Sequence, residues 1–143
     1  MGGELLNRFI AIDYGLKRIG IALCDPLYTF AYPFKTILNG QNLWNELKEI
    51  ISQQSVIKVV LGLPLNENGE PSSISKDVLK FKNQIENRFK IEVILRDERY
   101  TSSIAQDNII KFVTKKSKRR EKGLIDRSAA AVILQDYLDE KKT

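Results

Sequence analysis

The stretch RFIAIDYGLKRIGIALCDP, residues 8 to 26, decides the fold. Arg8 to Asp13 is nearly continuously apolar, as a strand covered on both faces would be, and Arg18 to Asp25 reads as a second such strand. Tyr14 to Lys17, with Gly15, is short enough to join them as a hairpin. An aspartate therefore ends the first strand and opens a glycine-punctuated turn. A third run, Phe30 to Leu38, is aromatic and β-branched, and its Pro33 marks an edge strand or an irregularity. Three strands in succession imply an antiparallel meander.

After Asn39-Gly40 the period becomes helical: Leu43, Trp44, Leu47, Ile50 and Ile51 line one face of a helix ending near Gln54. Val56 to Leu61 is a strand stopped by Gly62-Leu63-Pro64. Past a loop rich in Asn, Gly and Pro, Ser72 or Ser73 caps a helix striped by Ile74, Val78, Phe81, Ile85 and Phe89. Ile91 to Leu95 is a fifth strand, Thr101 or Ser102 opens a helix carrying Ala105, Ile109 and Phe112, and a last helix runs from about Leu124 to Leu138. The order βββαβαβαα puts the chain in the α/β class. Strands separated by helices need right-handed crossovers and pair in parallel, so the fourth and fifth lie parallel to the first. Their C-terminal ends then share one edge, which collects Asp13, the Gly62-Leu63-Pro64 turn and Asp97-Glu98. Ligands bind at such an edge in open α/β sheets.

Composition narrows the chemistry. A length of 143 residues, 43% hydrophobic and 29% charged, fits one globular domain spanning residues 1–143. No apolar run approaches the roughly 20 residues needed to cross a bilayer, and Met1 to Asn7 lacks the features of a signal peptide. The chain reads as a soluble, cytoplasmic protein without membrane contact. One cysteine, Cys24, excludes an internal disulfide and lies in an apolar run as a small core residue. The absence of histidine removes Ser-His and Cys-His chemistry and imidazole-bound zinc together. Acid-base and metal work fall to carboxylates, hard ligands that select Mg²⁺ or Mn²⁺.

The last helix places Asp126 on the same face as Ala130, Ile133, Leu134 and Tyr137. An acid packed toward a sheet needs a partner or a metal, because an unpaired buried charge costs several kcal/mol. Its plainer role is to complement the helix dipole near the N-terminus. Ser128, Ala129, Ala130 and Ala131 are small enough to let that helix approach the sheet closely, bringing Asp126 toward the strand ends. Asp13 can simply bond its own turn, and Asp97 and Glu98 can pair with Arg96, Arg99 or Arg18. Three acidic positions converging at one edge nonetheless suit two-metal phosphoryl transfer, where carboxylates hold the ions.

Four segments, AIDYGLKRIGIALCDP from Ala11 to Pro26, VLGLPLNENG from Val60 to Gly69, DERYTS from Asp97 to Ser102 and DRSAAAVILQDYL from Asp126 to Leu138, together resemble the YqgF/RuvX family of ribonuclease H-like proteins over nearly the whole chain. That family is described as Holliday junction resolvases and as nucleases that mature the 5′ end of pre-16S ribosomal RNA. The resemblance implies a ribonuclease H-like fold, a five-stranded mixed sheet with helices on both faces. It implies an acidic site of Asp13, Glu98 and Asp126, with Asp13 bridging two Mg²⁺ or Mn²⁺ ions, Glu98 and Asp126 holding one each, and Asp97 behind them. Glu67 is a weaker candidate. The chain departs from the family pattern at Leu16, where a Thr is usual, and at Tyr100, where a Leu is usual; neither is a proposed ligand.

The expected partner is nucleic acid: precursor rRNA, or branched DNA if the protein is a resolvase, which needs a dimer to cut two opposing strands. For the RNA reading a monomer or weak homodimer is expected. A third reading is a ribosome-assembly factor that binds RNA without cutting it. Lys17 and Arg18 sit beside Asp13 to meet the scissile phosphate, and Lys115, Lys116, Lys118, Arg119, Arg120 and Lys122 form a basic stretch suited to the backbone beyond it. A net charge of +5 is compatible with this, though a solvated charged run would carry the same residues. If the stretch does contact phosphates, log affinity for RNA falls linearly with log salt, with a slope near the number of contacts. A titration from low to moderate salt checks it, and a flat response would reassign the stretch to solvent.

Overall fold

In the computed structural model, which describes residues 7–98 and 122–141, eight elements form one sheet with helices against it. They are β1 (Arg8–Asp13), β2 (Arg18–Cys24), β3 (Ala31–Leu38), α1 (Leu43–Gln53), β4 (Val56–Leu63), α2 (Ser73–Phe89), β5 (Glu92–Asp97) and α3 (Lys122–Lys141). The strand order is β3-β2-β1-β4-β5, with β1 to β3 antiparallel and β4 and β5 parallel to β1. The meander and the parallel crossovers are those read from the sequence. The expected helix at Ala105, Ile109 and Phe112 and the basic residues Lys115 to Arg120 lie outside the described residues.

Two strands run further than their apolar runs. β4 continues through Gly62 to Leu63 and β5 through Arg96 to Asp97, because Gly62 pairs with Arg96 and Leu63 with Asp97 in the parallel ladder. Backbone pairing, which is indifferent to side-chain polarity, extends both strands to the edge where the acids stand. Ser72 caps α2 in a reciprocal bond with Ser75, and Lys90 ends that helix in the left-handed conformation with φ 55°. Pro33 lies where the β2–β3 register shifts, between Ile21 and Ala22, on an edge strand that can spare its N–H.

Strand alternation sorts the sheet into two unlike faces. Ile10, Ile12, Ile19, Ile21, Leu23, Val59 and Leu61 point to one face and pack with Leu43, Leu47 and Ile50 of α1 and Val78, Phe81 and Ile85 of α2. The opposite face carries Ala11, Ala22, Cys24 and Val60 beneath Ala130, Ala131, Ile133, Leu134 and Tyr137 of α3. Large residues thus face the two helices that sit away from the sheet, and small ones face the helix that comes close. Gly20 marks the nearest point: a Cβ there would overlap the backbone carbonyl of Asp126.

The C-terminal half of α3 is pinned by polar contacts. Gln135 accepts from the backbone N–H of Ala31 at 2.8 Å and donates to the Thr29 carbonyl at 3.1 Å. Lys58 donates to the Tyr137 hydroxyl at 3.1 Å, its ammonium 4.7 Å from the centre of the Phe9 ring. Arg96 pairs with Glu140. The helix therefore cannot slide to make room at Gly20. Gly20→Ala is expected to cost on the order of 3 kcal/mol, because the added carbon meets backbone and not a flexible side chain. Urea unfolding measures it, and a loss below about 1 kcal/mol would show that α3 moves freely.

Candidate acidic site

Asp13 ends β1, the middle strand, and shares its face of the sheet with Ala11, the face that carries α3. It pairs in register with Gly20 of β2. The residue whose missing side chain admits α3 is therefore Asp13's cross-strand neighbour, and Asp126 arrives on the backbone that Gly20 admits. A second glycine does the same on the other flank. A Cβ on Gly62 of β4 would lie 2.5 Å from Glu98 Oε1 and 2.7 Å from Ile133 Cδ1, so Glu98 rests where a larger residue would stand. β1 is flanked by one glycine for each partner acid.

The three acids feel one another. Burial first, then the charge of Glu98, a hydrogen bond to Glu98 and the charge of Asp126 push the Asp13 carboxyl up to about 7. Glu98 is raised too, by burial above all and by the charge of Asp97, against the lowering effect of its bond with Asp13. These directions fit a protonated Asp13 donating to an ionised Glu98. Asp126 is engaged elsewhere: its Oδ2 accepts from Arg18 Nε at 2.8 Å. Among the described residues no three acidic or cysteine side chains converge closely enough, as they stand, to hold a metal ion. Asp13 and Glu98 are joined to each other by a hydrogen bond, and Asp126 is paired to a cation.

The donor set still fits a hard divalent cation. All three groups offer carboxylate oxygens, and burial first, then the neighbouring acids, make Asp13 reluctant to ionise, a penalty that a nearby positive charge relieves. Asp97, at the end of β5, acts on Glu98 through its charge. Glu67 is exposed in the β4–α2 loop, and the charges that raise Asp13 are those of Glu98 and Asp126. Lys17 is exposed in the β1–β2 turn, while Arg18 is committed to Asp126 and not to Asp97 or Glu98. Lys122 is the first residue of α3. The sequence reading missed the two glycines and the Arg18 pairing. The signal for the glycines was there: a glycine inside a strand marks close approach of another backbone.

Comparison with known proteins bears on what such a site serves. A family model described as RuvX, Holliday junction resolvase, matches residues 7–140. A protein of Endomicrobium trichonymphae is 44% identical over 136 residues, covering 94% of this chain and 96% of its own. One of Sulfurihydrogenibium sp. (strain YO3AOP1) is 38% identical over 136 residues, covering 94% and 91%. Both carry the name "Putative pre-16S rRNA nuclease". Among solved structures, T. thermophilus RuvC in complex with Holliday junction substrate superposes with a TM-score of 0.61 at 12% identity, covering 94% of this chain and 95% of that one. The fowlpox virus resolvase with junction DNA gives 0.60 at 14%, covering 95% and 99%. At such identities these two structures speak for the fold, a ribonuclease H-like one.

Stability should report the acidic crowding. Asp13 titrates near 7 when folded and at 3.8 in its ordinary state, so the stability it contributes is fully present below about pH 4 and is lost as pH rises through 7. Asp13→Asn keeps a donor for Glu98 and carries no charge. Without divalent cations it should match wild type near pH 4.5 and exceed it by on the order of 3 kcal/mol at pH 8, several degrees in Tm. Thermal unfolding at the two pH values checks this, and an Asn variant less stable at pH 8 would make Asp13 a structural hydrogen-bonding residue.

Proposed function

The chain belongs to the RuvX family of nucleases, and from that premise we propose that it is a divalent-metal-dependent endonuclease that processes the 5′ end of pre-16S ribosomal RNA. Its whole length, residues 1–143, serves as one nuclease domain. The observation that carries the reading is that Asp13 interacts with Glu98 and feels the charge of Asp126 at the C-terminal edge of the sheet, its carboxyl pushed up to about 7 by burial first and then by these acidic neighbours. The names carried by the relatives support RNA as the substrate.

Asp13, Glu98 and Asp126 would hold Mg²⁺ or Mn²⁺. Bound there, such a cation would polarise a phosphoryl oxygen and acidify a water for attack on phosphorus. The protein's own part begins with Asp13, which must release its proton from the bond to Glu98 and serve as a carboxylate. Glu98, lodged over Gly62, and Asp126, fixed by α3 over Gly20, set how far apart the three oxygen donors stand. Lys17 offers an exposed cation beside Asp13 for a substrate phosphate. Lys115, Lys116, Lys118, Arg119, Arg120 and Lys122 would follow the backbone away from the cut. The reading places the protein with its precursor in the cytoplasm, as a monomer or weak homodimer.

A second reading, a DNA resolvase, is favoured by the description of the family model, Holliday junction resolvase. One assay separates the two: cleavage with Mn²⁺ of precursor rRNA, an unstructured RNA and a synthetic four-way junction. The expected result is a cut in the precursor, with Asp13→Asn and Asp126→Asn each reducing the rate at least about a hundredfold, since even residues that merely support metal ligands cost 10 to 100-fold. Preferential cutting of the junction would establish the resolvase. Cleavage unchanged in both variants would sink the acidic site, and RNA bound tightly but never cut would leave a non-catalytic assembly factor.

A further inference from the structure

Among the described residues, Asp126 is the one of the three acids paired with a cation of the protein itself. Arg18 and Asp126 lie 108 residues apart in the chain, yet Arg18 Nε donates to Asp126 Oδ2 at 2.8 Å. The bond is single, one nitrogen to one oxygen, although a guanidinium can grip a carboxylate with two parallel bonds. Solvent reaches both partners, whose side chains keep 35% and 24% exposure. An ion pair of this kind is weak and easily exchanged. Arg18 shares its face of β2 with Gly20, so its guanidinium occupies the rim of the acidic cluster, against the one carboxylate not joined to another acid.

At a comparable distance a doubly charged ion repels a guanidinium more strongly than one carboxylate attracts it. Arg18 and a divalent cation therefore compete for Asp126. We infer that Arg18 is a displaceable counter-ion: it neutralises Asp126 while the cluster holds no metal and yields that carboxylate to a divalent cation. The inference rests on the proposed metal-site reading of Asp13, Glu98 and Asp126. Once released, the guanidinium stays at the start of β2 beside the exposed Lys17, with its N–H donors free for a phosphodiester. Arg18 thus lowers metal affinity in the absence of substrate, and a phosphate that captures it tightens metal binding, as the metal in turn tightens phosphate binding by the same factor.

The test follows the Arg18 Nε–H resonance in the full chain by nitrogen-15 NMR, assigned by its absence in Arg18→Gln, with Mg²⁺ binding measured in parallel by calorimetry. Wild type should show a shifted Arg18 signal that moves to the position of free arginine as Mg²⁺ saturates. Arg18→Gln keeps a donor for Asp126 but no charge and should bind Mg²⁺ about tenfold more tightly, within the usual range of couplings between sites. Arg18→Lys, which restores the charge, should return the affinity to near wild type. Dimethyl phosphate should shift the Arg18 signal only after Mg²⁺ is bound. An Arg18 signal unmoved at saturating Mg²⁺, or an Arg18→Gln variant that binds no more tightly, overturns the counter-ion role. Asp126→Asn separates this from the underlying reading: Mg²⁺ binding undiminished in that variant brings down the metal site and the inference with it. Binding lost in Asp126→Asn beside an unmoved Arg18 overturns the counter-ion role alone.

Discussion

The backbone of α3 touches the sheet at Gly20, and most of what is distinctive about this protein follows from that contact. A helix can come that near only if the strands beneath it are bare, and they are: Gly20 and Ala22 on β2, Ala11 on β1, Val60 and Gly62 on β4. The other face must then supply the bulk of the apolar volume, which it does with isoleucine, leucine and valine under α1 and α2. Each well-buried aliphatic side chain contributes about 1.5–3 kcal/mol, so the thicker face stabilises the sheet while the thinner face is free to carry chemistry. Asp13, Arg18 and Gly62 all lie on the thin face.

Bringing acids together in a half-buried place works against folding. Asp13 is pushed up to about 7 because burial, and then the nearness of Glu98 and Asp126, makes ionising it unfavourable. The molecule answers with local measures: a hydrogen bond between Asp13 and Glu98, and a guanidinium set against Asp126. Neither removes the crowding, and both leave carboxylate oxygens that a cation would satisfy better. A site of this kind is kept for function at some expense in stability, and the rigid contacts along α3 from Gln135 to Glu140 help to offset it.

Much of this was legible in the residues. The apolar runs at Arg8–Asp13 and Arg18–Asp25 with a short glycine turn between them called for a hairpin, and the helical stripes of α1 and α2 fell where periodicity put them. The final turns of β4 and β5 were not legible, because Gly62, Arg96 and Asp97 extend their strands through backbone pairing that side-chain pattern does not encode. Asp126 was legible as an acid on an apolar helix face. Its partner was not, since nothing local links Arg18 to a residue 108 positions away. RIGIALC reads as a strand apolar on both faces, which passes over its alternation of large and small residues with a period of two. The meaning of that alternation, a near helix on one side and distant ones on the other, needed the third dimension.

The contact between Arg18 and Asp126 spans 108 residues, and Asp13 meets Glu98 across another long separation. Loop-closure entropy must be met before either pairing can form, so assembly of the acidic cluster belongs to the late, cooperative part of folding and not to any local event. A half-formed molecule holds every acid and no cluster. For a protein whose proposed work is to cut RNA, this ties competence to the completed native state: a chain still collapsing, or one opened by a destabilising change, carries the residues of a nuclease without being one.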